Sequence, residues 1–96
     1  MPTTPSNDTV HAVALVSGRV QGVGFRWWTR YVAAGLSVSG SAVNRADGTV
    51  EIHVEGSRPA VEAMLARIDD GPPTSRVTGV DHRWEPPTGV SGFAIG

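Results

Sequence analysis

The segment from Gln21 to Arg26 contains the residue types that could bind a small anion. Gly22 and Gly24 tolerate left-handed or nest conformations, which would point successive backbone N–H groups at one place. A predicted helix begins at Phe25, and a helix N-terminus adds a positive dipole end equivalent to about half a charge. Acidic residues are preferred in a first helical turn, so the basic Arg26 indicates an anion held between its guanidinium and the loop amides.

The same spacing also fits a tight strand-to-helix turn with a solvated arginine, and spacing alone decides between neither interpretation. Two better-known phosphate loops are excluded. Phe25, Arg26 and Trp27 follow Gly22-Val23-Gly24 where a dinucleotide fingerprint needs its third glycine. The Gly-Lys-Ser/Thr of a Walker loop is absent, because the chain contains no lysine.

Composition narrows the chemistry further. The 96 residues carry a net charge of −1, from eight basic residues that are all arginine and nine acidic residues, and there is no cysteine. Thiol nucleophiles, cysteine-ligated zinc and Schiff-base lysines are therefore excluded. A near-neutral net charge also argues against nucleic-acid and membrane-surface partners, because proteins that bind them usually have a basic face or a cluster of Lys and Arg. An anion site in this protein must be built locally.

Residues 1–9 are rich in Pro, Ser, Thr, Asn and Asp, and we predict a disordered leader there, followed by one domain over residues 10–96. A chain of this length buries roughly 60 to 65% of its unfolded surface, enough for one modest core. No signal peptide and no stretch of roughly 18 apolar residues is present, so we expect a cytoplasmic protein.

Periodicity predicts the elements that must position the loop. A strand over Val10–Ser17 precedes the loop. A helix follows the loop and ends at a Gly35 cap, with an apolar stripe of Phe25, Trp28, Thr29 and Val32. Strands over Leu36–Asn44 and Thr49–Glu55 come next, and a second helix then runs from a Ser57 cap, with Pro59 in its first turn, to Asp69-Asp70. The last predicted strand covers Val77–Trp84, and the short segment Gly92–Ile95 could add another. The order β-α-β-β-α-β predicts an α+β fold, the ferredoxin-like split βαβ sandwich, with two helices on one face of a four-stranded antiparallel sheet.

Several motifs occur in a fixed order over residues 10–95. They are Gly18-Arg19-Val20-Gln21-Gly22-Val23-Gly24-Phe25-Arg26, Gly40 and Asn44, Asp47-Gly48-Thr49-Val50, Val54-Glu55-Gly56, Gly71-Pro72-Pro73 and Ser91-Gly92-Phe93. Together they resemble the acylphosphatase family. The resemblance implies the same sandwich and an enzyme that hydrolyses the carboxyl-phosphate bond of small acyl phosphates, with no cofactor and no metal. It also leads us to expect a monomer.

The resemblance implies roles for individual residues. Arg26 would bind the phosphoryl group and Asn44 would position the attacking water, while Gln21, Gly22, Val23, Gly24 and Phe25 would line the phosphate cradle. An amide suits this task, because its carbonyl accepts from water while its NH2 donates, which sets direction without taking a proton. Without the resemblance, Asn44 would be interpreted as a turn residue at a strand end.

One departure concerns the second strand, where Ser41 and Ala42 follow Gly40 although the family usually has Trp directly after this glycine. Trp27 and Trp28 could refill that volume, or the site could be looser, and we expect altered packing or substrate preference. Adjacent helical residues face about 100° apart, so one of these tryptophans should enter the core while the other lies on the surface.

Other functions are weaker candidates. A non-catalytic phosphate or phospho-ligand binding module on the same fold would need the same loop. Glu51, His53 and Glu55 lie on one side of the third strand, but they lack a fourth convergent metal ligand and are expected to form the solvated face of a hairpin, which also disfavours RNA stacking there. His11 and His82 are expected to be structural strand residues.

Overall fold

A computed structural model of the protein describes residues 9–96. Its elements are β1 (Thr9–Arg19), α1 (Phe25–Leu36), β2 (Ser39–Asn44), β3 (Val50–Ser57), α2 (Arg58–Asp70), β4 (Arg76–Glu85) and β5 (Phe93–Ile95). The predicted leader falls on residues 1–8, which lie outside the described residues, and on Thr9, which already belongs to β1. Within residues 9–96 no helix has the length and apolar character needed to cross a membrane.

The strands form one sheet in the order β4-β1-β3-β2-β5. Neighbouring strands pair antiparallel except β2 and β5, which run parallel. The ferredoxin-like α+β class is confirmed, but the sheet has five strands and is mixed, where the sequence predicted four antiparallel strands. The extra pairing arises because β4 and β5 lie at opposite edges, so the connecting chain crosses the sheet and reaches β2 from the parallel direction.

One face of the sheet carries the apolar core against both helices. Alternate residues such as Ala14 on β1 and Ile52 on β3 are fully buried there and meet Val61 and Ile68 of α2. Burying a side chain of the size of Ile52 stabilises the fold by about 1.5–3 kcal/mol. The predicted stripe of α1 is confirmed, because Phe25, Thr29 and Val32 are buried and Trp28 packs against the core.

The end of α1 differs from the sequence expectation. The helix continues through Gly35 to Leu36 and is capped by Ser37, at φ 58°. Leu36 lies one turn beyond Val32 and packs against the core, and this contact offsets the cost of roughly 1–2 kcal/mol for a left-handed serine. The predicted Gly35 cap and the predicted strand start at Leu36 are therefore wrong. At α2 the expected cap is confirmed, since Ser57 Oγ accepts from the Ala60 amide at 3.4 Å.

The opposite face of the sheet, called here the open face, is crossed by residues 86–92, called here the strap. Glu55 is only 5% exposed beneath it, so the expectation of a solvated position is wrong. The strap covers this carboxylate with hydrogen bonds from Thr88 and Gly89. His11 is also buried, and its two ring nitrogens contact Pro86 O and His53 Nδ1. A structural role for His11 agrees with these contacts.

Candidate phosphate-binding site

The loop between β1 and α1 has the backbone conformation that its glycines permit. Gly22 and Gly24 adopt φ values of 73° and 77°, with Val23 between them. A Cβ added at either glycine would meet no atom within 4 Å, so conformation and not crowding requires glycine at both positions. Left-handed residues alternating with others form the nest arrangement, in which neighbouring amides point towards one anion.

The start of α1 has a positive end that its own residues do not neutralise. Gly24 occupies the N-cap without a side-chain hydrogen bond, and the first turn contains no acidic residue. The first helical hydrogen bond runs from the Trp28 amide to Gly24 O at 3.0 Å. The amides of Phe25, Arg26 and Trp27 therefore precede the helical hydrogen-bond pattern and are free to bind an anion.

Core packing holds the loop in place. Phe25 is 1% exposed, and its ring meets Trp28 edge-on with centroids 5.4 Å apart. Thr74 Oγ1 donates to Val23 O at 2.9 Å from the other side of the loop. Trp27 is 61% exposed, so the expected division of the paired tryptophans between core and surface is confirmed. These contacts order the loop in the folded protein, so binding of a ligand would not have to order it.

Gln21 connects the loop to the turn between β2 and β3. Its Nε2 donates to Arg45 O at 2.8 Å and to Thr49 O at 2.9 Å. The side chain is therefore engaged with protein, so the predicted cradle role of Gln21 would fall to its backbone N–H. Since Arg45 directly follows Asn44, these two bonds also set the distance between the loop and the end of β2.

Arg26 and Asn44 meet at a residue that the sequence analysis did not assign to the site. Gly96 O accepts from Arg26 Nη1 and from the backbone N–H of Asn44, the latter at 3.3 Å. The Gly96 amide donates to Ala42 O at 3.0 Å, which continues the pairing of β5 with β2. The motif Ser91-Gly92-Phe93 drew attention to this segment in the sequence. The position of the segment beside β2 depends on the strap crossing the sheet, so the motif alone could not place Gly96 at the site.

The Asn44 side chain has an orphaned acceptor. Its Oδ1 is buried, and among the residues that the structure describes it is the sole buried side-chain nitrogen or oxygen without a hydrogen-bond partner. Leaving a buried acceptor unsatisfied costs about 1–3 kcal/mol. Such an open acceptor, on a residue whose backbone N–H shares Gly96 O with Arg26, is suited to a ligand or water that donates to it.

The two carboxyl groups with lowered pKa that follow β2 in the chain, Asp47 and Glu51, are poor candidates for a general base. A catalytic carboxyl group that exchanges protons near neutral pH needs a raised pKa. The pKa of Asp47 is lowered by hydrogen bonds from the Thr49 hydroxyl and amide, and that of Glu51 is lowered by hydrogen bonds with His53 and Arg45. Both groups near the end of β2 are thus held in the ionised form and already bonded within the chain.

Ser41 and the tryptophans lie on opposite sides of the sheet. Ser41 lines a cavity of about 510 Å³ on the open face, together with His53, Val90 and Ala94. The tryptophans belong to α1 on the core face, so the suggestion that they refill the volume at Ser41 is wrong.

Within residues 9–96 no three His, Asp or Glu side chains are grouped to hold a metal ion.

Comparisons with known proteins agree with this geometry. The family model described as Acylphosphatase matches residues 12–95. An acylphosphatase of Thermococcus kodakarensis is 46% identical over 86 residues, covering 90% of this chain and 94% of the relative. An acylphosphatase of Thermobifida fusca is 47% identical over 77 residues, covering 80% and 85%. The crystal structure of acylphosphatase from Bacillus subtilis superposes with a TM-score of 0.87 at 34% identity, covering 91% of this chain and 98% of that one.

Proposed function

The chain belongs to the acylphosphatase family, and from that premise we propose that it hydrolyses the carboxyl-phosphate bond of small acyl phosphates. The products would be a carboxylate and inorganic phosphate. The observation that carries the proposal is the meeting of Arg26 and Asn44 at Gly96 O, beside a helix start with no acidic residue. The backbone N–H of Asn44 makes this contact, and its side-chain Oδ1 stays open to accept from water, so positive charge and a water acceptor are combined at one place.

Binding of the phosphoryl group falls to the loop and to Arg26. The amides from Gln21 to Phe25 would take phosphoryl oxygens in the nest, with the helix end adding its dipole. A guanidinium has five N–H donors, so Arg26 retains donors for a bidentate bond after one has gone to Gly96 O. These donors stabilise the charge on the three phosphoryl oxygens in the transition state.

Asn44 would direct the nucleophile. Its unpartnered Oδ1 can accept a hydrogen from one water, which turns a lone pair of that water towards phosphorus. The water oxygen forms a bond to phosphorus as the bond from phosphorus to the acyl oxygen breaks, and the electron pair of that bond leaves with the carboxylate. The proton of the water passes to a phosphoryl oxygen, so the step needs no protein base.

We also propose that the reaction needs no metal ion and that the protein acts as a monomer. A carboxylate is a good leaving group, so alignment and charge neutralisation by Arg26 and the amides supply what the step requires. Rates measured in EDTA and again with added magnesium should agree within about twofold, a difference of less than 0.5 kcal/mol. Sedimentation equilibrium should give the mass of one chain.

The central test is hydrolysis of benzoyl phosphate in the presence of EDTA by wild type, Arg26→Ala and Arg30→Ala. Arg30 is an exposed arginine on the same helix and serves as the matched control. Arg26→Ala should lower kcat/KM by about 10³-fold, the effect of removing a strong oxyanion donor, while Arg30→Ala stays within about twofold.

Two outcomes would contradict the proposal. Equal rates for wild type and Arg26→Ala would remove the arginine from the reaction. Tight binding of inorganic phosphate without turnover would instead support a phosphate-binding module on this fold.

A further inference from the structure

Glu55 is bonded to the strap by every hydrogen bond that its side chain forms within residues 9–96. Its Oε2 accepts from the Thr88 amide at 2.8 Å and from the Gly89 amide at 2.7 Å, and its Oε1 accepts from Thr88 Oγ1 at 2.8 Å. Glu55 as a whole is 5% exposed. Hydrogen bonds to an ionised acceptor are about twice as strong as neutral ones, so this buried group fixes two consecutive strap residues over β3.

A second anchor lies beside it. In the pairing of β1 with β3, His11 stands opposite Glu55. His11 Nδ1 lies 3.1 Å from Pro86 O, and because a carbonyl can only accept, Nδ1 is the donor. Nε2 of the same ring lies 3.0 Å from His53 Nδ1. The first half of the strap is therefore bonded to two neighbouring strands in the middle of the sheet.

The other end of the strap leads directly to the proposed active site. Gly92 O accepts from the Gly40 amide at 2.9 Å, and β5 then pairs with β2 from Gly40 to Ala42. One residue later, Gly96 O accepts from Arg26 and from the Asn44 amide. A strand of three residues at a sheet edge has little stability of its own. Its position consequently depends on how firmly the strap is held.

We propose that Glu55 is a positioning residue for the phosphoryl-transfer step, which fixes the strap so that β5 presents Gly96 O to Arg26 and Asn44. This inference rests on the proposed function. Glu55 stands on the open face, whereas the phosphate loop lies beyond the end of β1, so it acts only through the strap and β5. Without it, the Arg26 guanidinium would lose a fixed acceptor and sample other rotamers, and a displacement of about 1 Å can cost 100-fold in rate.

The test compares Glu55→Ala with Glu55→Gln and with Val61→Ala. The glutamine oxygen can accept from both strap amides while its NH2 donates to the Thr88 hydroxyl, so this variant keeps the anchor without the charge. Val61 is a fully buried residue of α2, which packs on β1, β3 and β4, and truncating it destabilises the core away from the strap. It controls for a general loss of stability.

We expect Glu55→Ala to raise both KM for benzoyl phosphate and the inhibition constant of inorganic phosphate by about tenfold, and to lower kcat. Glu55→Gln should stay within about threefold of wild type in all three, and Val61→Ala should leave KM and the inhibition constant unchanged. If Glu55 only stabilised the fold, Glu55→Ala and Val61→Ala would change KM and the inhibition constant in proportion to their loss of stability, as given by their denaturation midpoints.

Amide hydrogen exchange measured by NMR tests the strap without turnover. Exchange at the Gly96 and Asn44 amides should be faster in Glu55→Ala than in Val61→Ala, because only the former frees β5. If wild type failed to hydrolyse benzoyl phosphate, the proposed function would fail while this measurement still tested the anchor.

The inference is overturned if folded Glu55→Ala keeps wild-type exchange at Gly96 and a wild-type inhibition constant for phosphate. It is also overturned if Val61→Ala changes both to the same extent. Should Glu55→Ala fail to fold, Thr88→Val removes only the hydroxyl bond, and a rise of about threefold in the inhibition constant supports the anchor. No change in Thr88→Val overturns it.

Discussion

The end of the molecule that holds the loop between β1 and α1, called here the loop end, and the open face under the strap treat their polar groups in opposite ways. At the loop end, the amides at the start of α1 precede the helical hydrogen bonds, and within residues 9–96 the buried Asn44 Oδ1 has no partner. On the open face, Glu55 takes three hydrogen bonds and both nitrogens of His11 are bonded. Unsatisfied groups cost stability, so a fold keeps them where a ligand will satisfy them.

This difference teaches that the type of residue is a poor guide to where the chemistry lies. The open face has imidazoles and carboxylates in contact, the usual components of acid-base and metal sites. Their bonds are made within the chain, for example Arg45 with Glu51 at 2.6 Å and Glu51 with His53 at 2.7 Å. At the loop end, Gln21 and Arg45 are likewise bonded within the chain, whereas the Asn44 side-chain acceptor and the amides at the start of α1 stay open. Availability, and not the number of titratable groups, distinguishes the site.

The largest expected effect tests how tightly the sheet joins the two regions. A Cβ at Gly40 would lie 1.8 Å from His53 O, and the residue adopts φ 150°. Gly40→Ala should therefore lower the free energy of unfolding by more than about 3 kcal/mol, as measured by urea denaturation.

Gly79, a strand glycine on β4 with no atom within 4 Å of an added Cβ, provides the matched control. Gly79→Ala should change the free energy of unfolding by no more than about 0.5 kcal/mol. Similar losses in the two variants would show that the close approach of β2 to β3 is not what glycine serves at position 40.

Asn44→Ala separates function from stability at the loop end. We expect kcat to fall by about 100-fold, because water loses its direction, while the inhibition constant of phosphate changes by less than about threefold. Stability should be unchanged or higher, since the deleted Oδ1 has no hydrogen-bond partner among residues 9–96.

Thr88→Val changes a hydroxyl that does have a partner, because Thr88 Oγ1 is bonded to Glu55 at 2.8 Å, and its removal should cost about 1 kcal/mol of stability.

Equal losses in kcat and in phosphate binding by Asn44→Ala would remove the water-positioning role. Urea denaturation and steady-state kinetics measured on both variants distinguish these cases.

Acid should weaken the open face. Burial raises the pKa of Glu55, but hydrogen bonds from the Gly89 amide and from Thr88 outweigh it, so the pKa lies below its ordinary value of 4.5. A carboxylate with a lowered pKa contributes stability that is fully present above the unfolded value and is lost as pH falls through the folded value. The free energy of unfolding should therefore be level above pH 5 and fall below about pH 4.5.

Glu55→Gln should reduce this fall, because it removes the titrating group and retains the anchor. Denaturant midpoints measured from pH 7 to pH 3 would check it. An acid dependence that is identical in wild type and Glu55→Gln would place the acid-sensitive groups elsewhere.

The smallest expected effect concerns the cavity beside Ser41. A tryptophan there would fill part of the 510 Å³ between the open face and Val90 and Ala94. We expect Ser41→Trp to raise the free energy of unfolding by about 1 kcal/mol, which is a rise in Tm of about 4–8 °C for a domain of this size. Ser41→Ala adds no volume and should leave Tm unchanged, and a lower Tm for Ser41→Trp would show that the cavity cannot accept the ring.

Local signals predicted much of the fold. The order of the first four strands and both helices followed from periodicity and turn residues, and the cap at Ser57 followed from side-chain chemistry. The boundary at Gly35 was wrong because packing of Leu36 on the core outweighed the local preference for a glycine cap. The alternation in β3 predicted which side Glu55 faces, but no local pattern reveals that a distant strap covers that side.

By itself, the sequence determined the order of the first four strands and both helices, the tolerance of the loop glycines for left-handed conformations and the residue types present, because these depend on neighbouring residues and on side-chain type. Only the tertiary structure decided that Gly96 joins Arg26 to Asn44 and that Asn44 Oδ1 is left without a partner. The physical reason is that hydrogen-bond satisfaction depends on residues far apart in the chain: 70 positions separate Arg26 from Gly96. Which polar groups remain free is settled only when the strap has crossed the sheet.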